Sequence, residues 1–116
     1  MAGVVHIPWY ATLFRGDKLA AAVCAATEAS IRYGATQYKV HRSRDDAYRI
    51  LQMVWFESRL EWERYWEGPE MVALRTNHSG QYQVPLLYVW HDELADDVIA
   101  AAPANGAPAA AEPASA

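Results

Sequence analysis

His78 and Tyr65 are the side chains of this sequence best suited to act on a substrate. An imidazole titrates near neutral pH and can serve as a general base. A phenol can donate a hydrogen bond to a substrate oxygen. Trp62 and Trp66 lie three residues before and one after Tyr65, so a helix gathers all three into one aromatic stripe. That stripe is either core packing or a wall for a flat ligand, and Tyr10 offers a further phenol to such a ligand. His78 follows a helical stretch, where a cation is favoured, so it reads as a cap as well as a base. His41 sits in the run Lys39-Val40-His41-Arg42-Ser43-Arg44, an anion contact or the solvated side of a hairpin. Asp45 and Asp46 next door weaken the anion reading. His6, on an early strand, completes the candidate ligand contacts.

Other chemistries have no support. No two histidines have the spacing of a helical zinc pair, and no phosphate loop, dinucleotide fingerprint or Ser-His-Asp pattern is present. Cys24 is the single cysteine, which excludes an intrachain disulfide and a cysteine zinc site. Inside an Ala-rich helix it reads as an inert, buried thiol. Neither a metal nor a cofactor is expected.

The elements that must position these residues are legible. Val4 to Phe14 is rich in β-branched and aromatic residues and reads as a strand, with Pro8 forcing an edge or a bulge. Arg15-Gly16 reads as the turn, Asp17 as an N-cap, and Lys18 to Tyr33 as a helix stopped by Gly34. Leu19, Ala22, Val23, Ala26 and Ser30 form its small-residue stripe. Thr36 to Arg42 alternates apolar and polar residues and reads as a second strand. Tyr48 to Phe56 is a third, apolar on both faces except at Gln52. Ser58-Arg59-Leu60-Glu61 has the form of a capping box. Gly68-Pro69 breaks the helix behind it and opens another, and Gln81 to His91 reads as the last strand. The order is β-α-β-β-α-β, a ferredoxin-like α+β protomer with a four-stranded antiparallel sheet and its helices on one face.

Length and charge set the frame. The 116 residues suffice for one domain, assigned to residues 1–92, with a short helix at 93–102 and a disordered Ala/Pro tail at 103–116. All 10 Lys+Arg precede Asp92, so the body is near neutral and the acidic excess lies behind it. No basic surface for nucleic acid is indicated. No secretory signal or membrane span is recognisable, and a cytoplasmic protein is expected.

Strands apolar on both faces need cover on both faces. Helices supply one; a second copy is the simplest candidate for the other, giving a homodimer joined through sheet faces. Gln52 and Leu87 are placed in that interface.

Val54-Trp55-Phe56-Glu57-Ser58, leading into Trp62, Tyr65, Trp66, Gly68-Pro69 and Met71, resembles the antibiotic-biosynthesis-monooxygenase-like domains of the dimeric α+β barrel superfamily. The resemblance covers residues 4 to 91. It implies a dimeric barrel and a pocket between sheet and helices. Its members include cofactor-independent oxygenases of aromatic polyketides, isomerases, cyclases and haem degraders. The haem-degrading branch fits poorly: alignment on Gly68-Pro69 puts Ile7 or Pro8, Tyr65 and Leu74 where that branch has Asn, Trp and a ligating His. Two expectations follow. One is a small monooxygenase-like protein that oxygenates or isomerises a hydrophobic aromatic or polyketide-type molecule without a cofactor. The other is a non-catalytic dimeric binding or interaction module.

Overall fold

The computed structural model describes residues 2–101. β1 (Gly3–Tyr10) leads into helix α1 (Gly16–Glu28), which tightens into a 3-10 turn at Ala29–Tyr33. β2 (Gln37–Arg42) and β3 (Arg49–Phe56) form a hairpin, followed by α2 (Arg59–Trp66), α3 (Pro69–Asn77) and β4 (Val89–His91). The strands lie in the order β2-β3-β1-β4, every neighbouring pair antiparallel. This is the expected ferredoxin-like α+β architecture.

Strand pleating decides what each face carries. Val5, Ile7 and Trp9 of β1 share a face with Ile50, Gln52, Val54 and Phe56 of β3, and all are buried against the helices. The helices match that face with Leu19, Val23 and Ala26 of α1, Trp62 and Tyr65 of α2, and Met71 and Leu74 of α3. Gln52 is therefore in the core and not on the open sheet face. A charge there would disrupt the protomer before it could separate two copies.

The helix boundaries follow local chemistry. The Ser58 hydroxyl accepts from the Glu61 amide at 3.3 Å, and the Glu61 carboxylate accepts from the Glu57 amide at 3.1 Å. Pro69 opens α3 at a position that needs no amide donor. Gly34 closes the first helical segment with φ +99.

Four expectations are corrected. β1 stops at Tyr10, and the chain turns at Leu13-Phe14, with Phe14 at φ 66. Asp17 is not the cap. Arg15 holds that position without a side-chain bond, and Asp17 instead pairs with Arg42 at 2.9 Å. Cys24 is exposed, because Leu19, Val23 and Ala26 turn the other side of α1 inward. Residues 93–101 form no helix, and the expected tail at 103–116 lies outside the described residues.

The last strand is also shorter than expected. Tyr82 bridges Ala11, and the ladder resumes only at Val89 opposite His6. Over residues 84–88 it lapses. Pro8 gives the physical reason. The Ala11 amide bonds to the Tyr48 carbonyl, so alternation turns the backbone nitrogen of Pro8 away from β3 and toward this gap. Proline has no N–H to offer there.

Candidate functional site

Strand alternation and helical spacing bring Trp9, Gln52, Tyr65 and Trp62 together between the sheet and α2. The Trp9 indole donates to the Gln52 Oε1 at 2.9 Å. The Gln52 amide donates to the Tyr65 hydroxyl at 3.2 Å and lies 3.9 Å from the sulfur of Met71. The Tyr65 hydroxyl donates to the Ala26 carbonyl at 2.6 Å. One donor is left over: the Trp62 Nε1 is buried without an acceptor. Buried indole donors normally find partners, and an orphan costs about 1–3 kcal/mol.

Burial pushes the Tyr65 hydroxyl well above the ordinary phenol range, opposed by the bond from Gln52. Tyr65 thus stays protonated at neutral pH and is a donor, not a base. The remaining groups of the cluster are an amide and two indoles. The cluster therefore offers hydrogen-bond donors and no proton acceptor that titrates near pH 7.

Aromatic rings close the site from outside. Tyr88 stands edge-on to Trp62 with ring centroids 4.8 Å apart and 5.0 Å from Trp66. Tyr82 stands edge-on to Trp9 at 4.9 Å. The Arg75 guanidinium lies 3.9 Å from the Trp66 ring and donates to the Trp66 carbonyl. Tyr82 and Tyr88 flank the segment that leaves the ladder, so side chains rather than backbone bonds hold that segment over the cluster. Beneath it the interior is filled by Trp9, Phe56, Trp62, Tyr65 and Met71.

The structure brings Tyr65, Trp62 and Trp66 into this one place and sends the other candidates elsewhere. Tyr10 lies on the open sheet face, donating to Asp46 at 2.6 Å under the Arg49 guanidinium. His41 is exposed on the same face. His6 is there too, its ring 4.3 Å from that of His91. Partial burial lowers the His6 pKa, with His91 adding to the effect and Glu93 opposing it. His78 caps α3, its Nδ1 2.9 Å from Gln81 Oε1, in a groove of about 330 Å³ between α1 and α3. Ala22, Ala26, Ala73 and Glu70 line that groove with His78, whereas the Tyr65 side chain lies in the buried cluster.

Gln52, Trp9 and Tyr88 were not among the sequence candidates. Gln52 had a signal, as the one polar residue on an otherwise apolar strand face. Trp9 and Tyr88 had none beyond being aromatic. Among the described residues no group of three or more His, Cys, Asp or Glu is placed to hold a metal ion, and no helix is long and apolar enough to cross a membrane.

No protein-family model and no curated protein sequence matches the chain. Solved structures do. Rv0793 from Mycobacterium tuberculosis superposes with a TM-score of 0.73 at 14% identity, covering 84% of this chain and 100% of that one. A structure described as an antibiotic biosynthesis monooxygenase gives 0.70 at 10% identity, over 82% and 100%. A variant of SnoaB, a cofactor-independent oxygenase from Streptomyces nogalater, gives 0.70 at 8% identity, over 82% and 95%. At such identities the likeness is one of fold. The chain thus shares the ferredoxin-like α+β fold of these structures, among them one described as an antibiotic biosynthesis monooxygenase and one as a cofactor-independent oxygenase.

Proposed function

We propose that this monooxygenase-like protein binds a flat, hydrophobic phenolic molecule between its sheet and helices and promotes cofactor-independent oxygenation or isomerisation. The observation that carries this reading is the orphaned Trp62 Nε1, buried within a set of otherwise satisfied donors. A core built only for stability has no use for an unpaired indole N–H. A ligand oxygen would give it an acceptor.

The donor-only character of the cluster narrows the substrate. With no base at hand, the substrate must itself be acidic, as a polyphenol or its keto tautomer is. Its oxyanion would accept from Trp62 and from Gln52 or Tyr65, which favours the deprotonated form. That anion can pass electrons to dioxygen; addition of oxygen at a methylene and loss of water yields the ketone. Reprotonation at another carbon gives the isomer. In this reading Tyr65 and Trp62 bind and polarise, Trp66 and Tyr88 form the aromatic wall, and residues 84–88 move aside for access.

A second reading has its own observation. The interior is filled by large side chains, which favours a non-catalytic binding or interaction module. Titration with a hydroxylated anthrone separates the two. The first reading expects a shift of the Trp62 indole resonance in the 15N–1H spectrum and oxygen consumption above the uncatalysed rate. An unmoved indole at millimolar ligand would leave the module.

A further inference from the structure

The turn between β1 and α1 exposes two large apolar side chains. Leu13 is 67% exposed and Phe14 87%. Phe14 also holds a left-handed backbone, with φ 66. A bulky residue is strained there, where glycine or asparagine would sit freely. Packing of the ring does not offset that strain, because the ring stands in solvent. The turn is nonetheless well anchored. The Thr12 amide donates to the Gln81 carbonyl at 3.0 Å, the Thr12 hydroxyl to the Gly80 carbonyl at 3.1 Å, and the Arg15 amide to the Thr12 carbonyl at 3.0 Å. An apolar tip is thus presented on a fixed base.

The surroundings of the tip are basic. Arg42, at the end of β2, donates to the Gly16 carbonyl at 2.7 Å and pairs with Asp17 at 2.9 Å, which brings the β2-β3 hairpin beside the turn. Phe14, Gly16, Ala47 and Tyr48 line one hollow of about 300 Å³ there. Residues 12–18 and 42–49 carry five bases (Arg15, Lys18, Arg42, Arg44 and Arg49) against three acids (Asp17, Asp45 and Asp46), in a chain of net charge -4. Asp17 is taken by Arg42, and Asp46 accepts from Tyr10. Arg15, Lys18 and Arg44 are exposed and enter no ion pair among the described residues. The other end of β1 has the opposite sign, with Gly3 in a hollow it shares with Glu57, Asp92 and Glu93. Eight residues of strand separate the two ends by roughly 25 Å. The field along the strands therefore turns the tip toward a negative surface.

We propose that the Leu13-Phe14 turn docks this protein on the surface of an anionic lipid bilayer. Leu13 and Phe14 enter the boundary between headgroups and acyl chains, while Arg15, Lys18 and Arg44 stay at headgroup level. A protruding tip needs no matching pocket in a fluid bilayer, and its basic collar supplies the charge that anionic headgroups recognise. The acidic end of the sheet is held away from those headgroups. Such attachment is peripheral and needs no membrane-crossing helix, of which there is none among the described residues.

The test is flotation of the full chain with lipid vesicles. Binding is expected to vesicles of phosphatidylcholine with about 30% phosphatidylserine, weakened by salt and far weaker on phosphatidylcholine alone. Phe14→Ser is expected to cut the partition coefficient about tenfold, and Arg15→Glu with Lys18→Glu as much. Glutamates suit the start of α1, so this charge reversal should leave the chain folded. Phe14→Gly should lose vesicle binding while Tm holds or rises, whereas a packing role for Phe14 would lower Tm. Leu94→Ser removes an apolar side chain that is 94% exposed in the acidic segment and should bind as the wild type does. No binding to anionic vesicles, equal binding to neutral ones, binding indifferent to the tip variants, or an equal loss with Leu94→Ser would each overturn the proposal. So would a change of sedimenting mass with Phe14→Ser, which would make the tip a contact between copies.

Discussion

Replacing Gln52 by leucine tests whether the buried polar cluster is built or incidental. Gln52 is fully buried and accepts from Trp9, also fully buried, at 2.9 Å. Leucine leaves the Trp9 indole without an acceptor in an interior that water does not reach. The unmet donor costs about 1–3 kcal/mol, offset in part because an amide no longer needs desolvation. Tyr65 loses one donor but keeps its bond to the Ala26 carbonyl at 2.6 Å. Trp9→Phe removes the other partner and orphans the Gln52 oxygen, with an added cavity cost. The double variant removes donor and acceptor together. The cycle is therefore expected to return a coupling of about 1–2 kcal/mol between the two positions. Gln52→Leu alone should lower Tm by several degrees, at about 4–8 °C per kcal/mol for a domain this size. Urea denaturation followed by far-UV circular dichroism reads all four proteins without relying on the altered tryptophan. A coupling below about 0.3 kcal/mol would refute the reasoning, since independent positions add to within that margin.

Tyr88→Ala should uncover Trp62, seen as faster hydrogen exchange of its indole and faster association of a hydroxylated anthrone; unchanged exchange would deny Tyr88 its covering role. Gly68→Ala should destabilise by about 1–3 kcal/mol in urea, because the new methyl would press on the Tyr33 hydroxyl and lie 2.7 Å from its ring carbon Cζ. The Tyr33 hydroxyl and then the Arg32 guanidinium hold the Glu70 pKa down to about 2, from 4.5. That depressed carboxylate stabilises the fold above pH 4.5, and its contribution is lost as pH falls toward 2. The bond from Tyr10 lowers Asp46 in the same sense. Tyr65 acts at the other end: stability should fall as pH rises beyond 10.0, because its ionised form is excluded from the core. Denaturation midpoints across pH check both limbs, and Glu70→Gln should flatten the acid one.

What could be read from the sequence was what depends on neighbours in the chain. The capping pair Ser58 and Glu61, the break at Gly68-Pro69 and the stop at Gly34 are local, and all three stand where expected. The strand alternation of Tyr38 and Val40 is local too. Gln52 shows where local reading ends. It was visible as a lone polar residue, but its partners Trp9 and Tyr65 lie 43 and 13 positions away, and only the assembled sheet shows that they meet. Placing it in an interface was the natural error for a polar residue on an apolar strand. Cys24 failed for a simpler reason: Ala-rich helices give weak directional signal, and the larger Leu19 and Val23 chose the inward side. The final strand misled because its residues favour β structure while the donor missing across from it, at Pro8, is about eighty positions earlier. The candidate site fared likewise. The aromatic stripe on α2 was legible, whereas His78, His41, His6 and Tyr10 were grouped with it by chemistry alone, and the fold sets them apart from it, three on the open sheet face and His78 beside α1.

The gap opposite Pro8 also separates two kinds of inheritance. Residues 84–88 contribute nothing to the ladder, so their length can change without breaking a strand pairing. They nonetheless carry Leu86 and Tyr88 against the interior. A chain arranged in this way can explore new ligands by editing one short stretch while the paired strands on either side stay as they are.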